Sequence, residues 1–352
     1  MMKFTPGAWR AFAVALVMSL AATITVSPAH AESSGFTGAV PLPAKRIGIL
    51  SSTLGAEVVV HWETTAKKGV QALGWTADSV DGKSDPQVWG QAINAFTQRH
   101  MDAIIVIGGL QLSTIATQLR AAKAAKIPIV HVGIRATDPQ HLFDGDFAPD
   151  DARFGAVLAD YLNKKLPPRS EFVTLQLSSC ELCNAPVPVA ISMLEKAGHK
   201  AGGMADMSLN GDLAGQAKKM SVDLLRAHPK AKAMIACCDF VATFSAPALA
   251  QAGFGDVLNA VRYDDLSVLQ LIRQGKPVIT VANNNDDFIL SAVDALAAYF
   301  ASGTPIPAEA PATLAKYEVV DSANLPPKGE YFFSPDKSLE AFSAKWKATY
   351  KR

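Results

Sequence analysis

Residues 45–54 read Lys45-Arg46-Ile47-Gly48-Ile49-Leu50-Ser51-Ser52-Thr53-Leu54. Arg46 to Leu50 is a short apolar run of the kind that forms a strand buried on both faces, and the small hydroxyl residues behind it open a loop. Working outward, the amphipathic stretch from Val58 to Leu73 reads as a helix, Trp75 to Val80 as a strand, and Asp85 to Arg99 as a helix with Pro86 at the first helical position, which proline tolerates. Ala103 to Ile107 is a wholly apolar strand closed by Gly108-Gly109, followed by a helix from Ser113 to Ala125 and a strand from Ile127 to Val132. Short apolar runs alternating with longer amphipathic stretches are the mark of an α/β parallel sheet with crossover helices.

The rhythm restarts after Asp150. Helices are expected over Ala152 to Lys165, Val187 to Ala197, Ala214 to Ala227, Ala246 to Gly253, Ser267 to Gln274 and Asp287 to Ser302. Strands are expected over Phe172 to Leu177, Ala233 to Cys237, Val257 to Arg262 and Val278 to Ala282. Residues 303–335 are proline-rich and read as connective. Ser334-Pro335-Asp336 then caps a last helix whose Leu339, Phe342 and Trp346 share one face and are expected to pack on a lobe.

Composition agrees with two folded α/β halves: 352 residues, 49% of them hydrophobic and 18% charged. A formal net charge of +1, with no basic run longer than Lys67-Lys68 or Lys218-Lys219, excludes a bulk electrostatic footprint for nucleic acid. At the start, Lys3 and Arg10 precede an apolar run from Ala11 to Val26, and Ala29-His30-Ala31 forms an A-x-A site. Residues 1–31 are therefore expected to be a signal peptide cleaved after Ala31. No Cys precedes Cys180, so no lipid attachment is expected, and no later stretch approaches the ~18–20 apolar residues that span a bilayer. The mature chain is expected to be a free monomer in a Gram-negative periplasm.

Lys45 to Leu54, together with Ile127-Pro128-Ile129-Val130, Ala227-His228-Pro229 and Tyr263-Asp264-Asp265, resembles the periplasmic sugar-binding proteins of ribose and galactose type that feed ABC transporters. The likeness runs over roughly residues 45 to 320. It implies a type I periplasmic binding fold: two doubly wound parallel-sheet lobes joined by three hinge crossings, near Pro149, Asn284 and Leu314. One lobe would comprise 45–149 plus 284–313, the other 150–283 plus 314–352 with the terminal helix. A small-molecule solute would be held between the lobes and handed to an ABC permease in the inner membrane, or reported to a membrane receptor.

The resemblance also implies site residues. Tyr263, Asp264 and Asn283 fall on an aromatic, a hydroxyl-binding carboxylate and a hydroxyl-binding amide. Elsewhere the family's polar or aromatic groups are replaced: Val58 and Val59 stand for two Phe, Ile107 beside Gly108 for an amide, Gly133-Ile134-Arg135 for an Asp-Arg pair, Val187 for an Arg and Cys238 for an Asn. Arg135 is the one displaced guanidinium. A sugar-like, less polar or differently shaped solute is implied, because a polar pocket emptied of half its partners leaves the other half unpaired. His131, at a strand end, and Trp62, one turn along the first helix, are further candidates for the pocket wall.

Cys180, Cys183, Cys237 and Cys238 all fall in the second half, and an oxidising compartment favours disulfides within or across the two pairs. A thiolate metal site is disfavoured by the vicinal spacing of Cys237-Cys238. A thiol–disulfide redox role is the alternative from another class. Neither a metal nor another cofactor is expected, and no catalytic residue: His61, His131, His141 and His228 are scattered, and no G-x-S-x-G, H-E-x-x-H or P-loop pattern occurs. Asn283 to Asp287 lacks the spacing of a calcium loop.

Overall fold

The computed structural model describes residues 35–136, 138, 140–178, 185–208 and 212–352. The expected signal peptide and the pair Cys180 and Cys183 lie outside these residues. Strand β1 (Val40–Pro41) precedes β2 (Arg46–Ser51), α1 (Glu57–Ala72), β3 (Thr76–Asp81), α2 (Pro86–Gln98), β4 (Ala103–Ile107), α3 (Leu112–Ala124), β5 (Ile129–Val132) and β6 (Gly145–Phe147). Strands β2 to β6 form a parallel sheet in the order β3-β2-β4-β5-β6.

Side-chain alternation in β2 explains why this strand is apolar throughout. Ile47 and Ile49 face the core beneath α1, while Leu50 faces the core made by α2 and α3. Gly48 lies against the Phe96 ring: a Cβ there would sit 2.7 Å from Cγ, so only hydrogen fits. Helix α2 starts where Asp85 Oδ1 accepts the Gln87 amide at 2.8 Å, with Pro86 behind it.

The second sheet takes up the chain after Asp150, whose carboxylate caps α4 (Asp151–Lys165) by accepting the Ala152 amide at 2.9 Å. There follow β7 (Glu171–Gln176), α5 (Pro186–Lys196), β8 (Lys200–Asp206), α6 (Leu213–Ala227), β9 (Ala231–Ala236), α7 (Asp239–Gln251), β10 (Leu258–Arg262), α8 (Leu266–Arg273) and β11 (Val278–Asn283). Helix α9 (Asn285–Ser302) returns to the first sheet, packing on β5 and β6, and β12 (Tyr317–Val320) returns to the second. The sheet order is β12-β11-β10-β9-β7-β8, parallel except for β12.

Edge strand β8 lies in a stretch where no strand is expected, because Gly202 and Gly203 interrupt any apolar run. Helix α7 begins seven residues before the expected Ala246, since Pro247 sits inside it rather than at its start.

The passages between sheets are tied to one another. Asn284 Nδ2 donates to the Leu314 carbonyl at 2.7 Å, and its Oδ1 accepts the Lys316 amide at 2.8 Å. The Tyr317 hydroxyl accepts the Asp150 amide at 2.7 Å. After β12 the chain makes a further passage. Segment 321–334 leaves the second lobe and leads into α10 (Pro335–Thr349), which packs on α1 and α9 of the first lobe before β13 (Tyr350–Lys351) pairs with β1.

This corrects the expectation that the terminal helix belongs to the second lobe. Its apolar face was legible, but the partner was not. Trp346 is fully buried, and its Nε1 donates to Asp294 of α9 at 2.9 Å, which draws the helix across. Trp346→Ala should therefore cost about 3–5 kcal/mol in urea unfolding. A loss below about 1 kcal/mol would mean that the helix is not anchored as described.

Candidate functional site

Both sheets direct the carboxyl ends of their strands toward the junction between the lobes, the position at which open α/β sheets hold ligands. The first turns of α1 supply Val58, His61 and Trp62 from one side; the ends of β10 and β11 supply Tyr263, Asp264 and Asn283 from the other. Between them lies a cavity of ≈ 20 Å³, closed further by Tyr331 and Phe333 of segment 321–334. That volume holds about one water.

Trp62 fills the centre and is fully buried. Its ring lies where a side chain at position 133 would be: a Cβ on Gly133 would stand 2.6 Å from Cε3, and φ there is +99°. A side chain at 133 and the indole at 62 would therefore compete for the same volume. The indole meets Tyr263 edge-on across the lobes, with centroids 5.3 Å apart. Tyr263 itself holds φ at +69°, and its carbonyl accepts the Thr280 hydroxyl.

Carboxyl groups crowd the same junction. Glu57 Oε1, from α1, accepts the Leu266 amide at the start of α8 at 3.0 Å and so clasps one lobe to the other. Asp264 Oδ2 accepts the Phe332 amide at 2.8 Å, and burial pushes its carboxyl up to about 6. Asp265 is hydrogen-bonded to Asp239, and burial with that neighbouring carboxyl raises it to about 12. Asp239 is raised as well, again by burial. His61 Nε2 pairs with Asp286 Oδ2 at 3.1 Å, and the Thr65 hydroxyl donates to the same carboxylate.

Three buried side-chain atoms of residues lining this cavity have no hydrogen-bond partner among the described residues: Trp62 Nε1, Tyr263 OH and Asn283 Oδ1. Buried polar atoms are ordinarily paired, so a set of donors and acceptors left open at one junction points to an external partner.

Of the expected site residues, Val58, Trp62, Tyr263, Asp264 and Asn283 come together around the cavity. Ile107 and Val59 are buried in the first lobe's core. His131 is spent within that lobe: Nδ1 pairs with Asp146 at 2.9 Å and Nε2 with the Gly108 carbonyl at 2.9 Å, which also accounts for Gly108. Neither His131 nor Gly108 offers a free group to a solute. Arg135 turns to Glu309 at 3.0 Å and the Ala148 carbonyl at 3.2 Å, close to the passage between lobes.

Val187 lines a separate void of ≈ 10 Å³ in the second lobe, with Cys237 and Arg262. Cys238 forms the N-cap of α7. Arg262 is buried, with Nη1 2.8 Å from Asp151 Oδ1 and Nε donating to the Cys237 carbonyl at 3.1 Å.

The disulfide expectation is corrected at one pair, since Cys237 and Cys238 are free thiols. A hydrogen bond with Cys238, then burial, push the Cys237 thiol up, which is contrary to what thiolate chemistry requires. Sequence reading missed Glu57, His61, Asp239, Asp265, Asp286, Tyr331 and Phe333. The Asp pair in Tyr263-Asp264-Asp265 was a visible signal for Asp265. Nothing in a proline-rich connector signalled Tyr331 and Phe333.

A family model described as the periplasmic binding protein domain matches residues 47–304. The chain belongs to that family. Among curated proteins, the ribose import binding protein of Salmonella typhimurium is 25% identical over 247 residues, 68% of this chain and 79% of that one. A solute-binding protein of an ABC transporter from Mycobacterium smegmatis, with bound glycerol, shares the fold at a TM-score of 0.72 and 20% identity, over 83% of this chain and 99% of that one. Another from Burkholderia graminis, in complex with D-arabinose, does so at 0.71 and 17% identity, over 81% and 98%. The periplasmic binding proteins share this α/β fold of two sheet lobes.

Two outcomes follow from the site's geometry. Burial lifts the Asp264 carboxyl from its ordinary 3.8 to about 6, so the native state holds this proton more tightly than the unfolded chain does. Its contribution is complete below about pH 4 and is lost as pH rises through about 6, by about 3 kcal/mol. Asp264→Asn keeps an acceptor for the Phe332 amide without the charge. Relative to that variant, the wild type should lose stability between pH 4 and pH 8 in urea unfolding; equal slopes would contradict the placement of Asp264. Separately, Gly133→Ala should destabilise by about 2–4 kcal/mol, from the clash with Trp62 and the positive φ, and an unchanged melting temperature would show that the indole does not lie there.

Proposed function

We propose that this chain is the exported solute-binding component of an ABC importer, taking a small hydroxyl-bearing solute between its lobes and presenting the closed form to the permease. The observation that carries this reading is the set of unpartnered buried atoms at the junction. Trp62 Nε1 and Tyr263 OH donate, whereas Asn283 Oδ1 accepts. A hydroxyl both donates and accepts, so a polyol or sugar fits a set of mixed sign better than an apolar solute does. The Asp264 carboxyl adds an acceptor beside them.

Relatives of the same fold hold glycerol, D-arabinose and myo-inositol, all polyhydroxylated. Membership of a periplasmic family and the Ala29-His30-Ala31 leader both support export to the periplasm. Binding, hinge closure and release make up the mechanism, and the site residues perform no bond chemistry. Closure brings Glu57 to the Leu266 amide and Trp62 to Tyr263, contacts that exist only when the lobes meet.

The test is a thermal-shift screen of the wild type with D-ribose, D-arabinose, D-allose, myo-inositol, allitol and glycerol. At least one should raise the melting temperature, and Asp264→Ala and Asn283→Ala should each weaken its binding by about 1–3 kcal/mol. No shift across the panel, or full affinity in both variants, would overturn the reading.

A further inference from the structure

We propose that the C-terminal segment 325–334 is part of the solute site, with Tyr331 and Phe333 forming an aromatic wall against the apolar face of a ring-shaped polyol. The proposal rests on the junction being the solute site. The segment lies beyond the 47–304 region that matches the family model. It is fastened to both lobes: Arg273 Nη2 of α8 donates to the Pro326 carbonyl at 2.7 Å, and Ser334 caps α10 on the first lobe.

Between these fastenings the segment crosses the mouth of the cavity. Tyr331 and Phe333 line the same space as Trp62, Tyr263 and Asn283, and the intervening Phe332 amide occupies Asp264 Oδ2. The Tyr331 ring lies 4.1 Å from the His61 ring, one turn along α1 from Val58. Aromatic surface is therefore delivered from the chain's end to a pocket whose own helix start offers Val58 in that place. A ring presented this way suits the C–H face of a pyranose or cyclitol, while the open acceptors serve its hydroxyl edge.

The segment also has room and a pivot for admitting such a solute. The present cavity holds about one water, whereas solute pockets measure roughly 300–1,000 Å³. On the other side of Tyr331, between α1 and the segment, runs an open groove of ≈ 550 Å³ lined by His61, Thr64 and Lys68. Gly329, at φ +87° with open space around it, follows Pro326-Pro327 and allows the backbone to turn.

Hydrogen-exchange mass spectrometry of the wild type, with and without each of myo-inositol, D-allose, allitol and glycerol, tests the proposal. A binding ring solute should slow exchange in peptides covering 325–334 together with those covering 57–62 and 263–265. Tyr331→Ala and Phe333→Ala should then lose about tenfold in affinity for that ring solute, with Tyr331→Phe close to wild type and the acyclic solutes less affected. Slowed exchange at 57–62 and 263–265 but not at 325–334, or full affinity in both alanine variants, would overturn this inference and leave the proposed function standing. No change in any of these peptides with any solute would overturn both.

Discussion

Three carboxyl groups of the second lobe are buried at or beside the junction with the first. Asp239 opens α7, Asp264 follows β10 and Asp265 caps α8, and burial raises each of them. Their burial carries a desolvation cost, met in part by the hydrogen bond between Asp239 and Asp265, by the Phe240 amide on Asp239 and by the Phe332 amide on Asp264. Groups that donate hydrogen bonds from a solute offset that cost only when the lobes are together. This is the differential affinity through which a ligand shifts an opening equilibrium toward closure.

Trp62 sets the shape within which that balance operates. Fully buried, placed over Gly133 and edge-on to Tyr263, it occupies the volume that any side chain at position 133 would need. Its indole N–H, without a partner, is a donor in a region otherwise rich in acceptors. The same ring thus joins the lobes by packing and offers a polar handle, a pairing that suits Trp at surfaces that are dry on one side and wet on the other.

Most of the fold was legible because parallel strands with both faces buried leave long apolar runs, as Arg46 to Leu50 and Ala103 to Ile107 do. Strands that are short or at an edge were not: β6 has three residues, and β8 carries two adjacent glycines. The site was half legible. Tyr263, Asp264 and Asn283 stood out through the resemblance to the sugar-binding family, and all three line the cavity. His131 failed as a pocket residue because two partners from its own lobe, Asp146 and Gly108, consume both ring nitrogens, and such pairings are tertiary facts. Segment 321–334 failed for another reason. Its role depends on where α10 docks, and an amphipathic face does not say which neighbour it will cover.

Native mass spectrometry of the chain purified from a periplasmic extract, set beside an Asp264→Ala, Asn283→Ala double variant, tests the central claim most directly. The wild type should carry a small noncovalent mass that is lost on denaturation and absent from the variant. A bare wild-type chain, or the same adduct on both proteins, would contradict capture of a solute at the junction of the lobes.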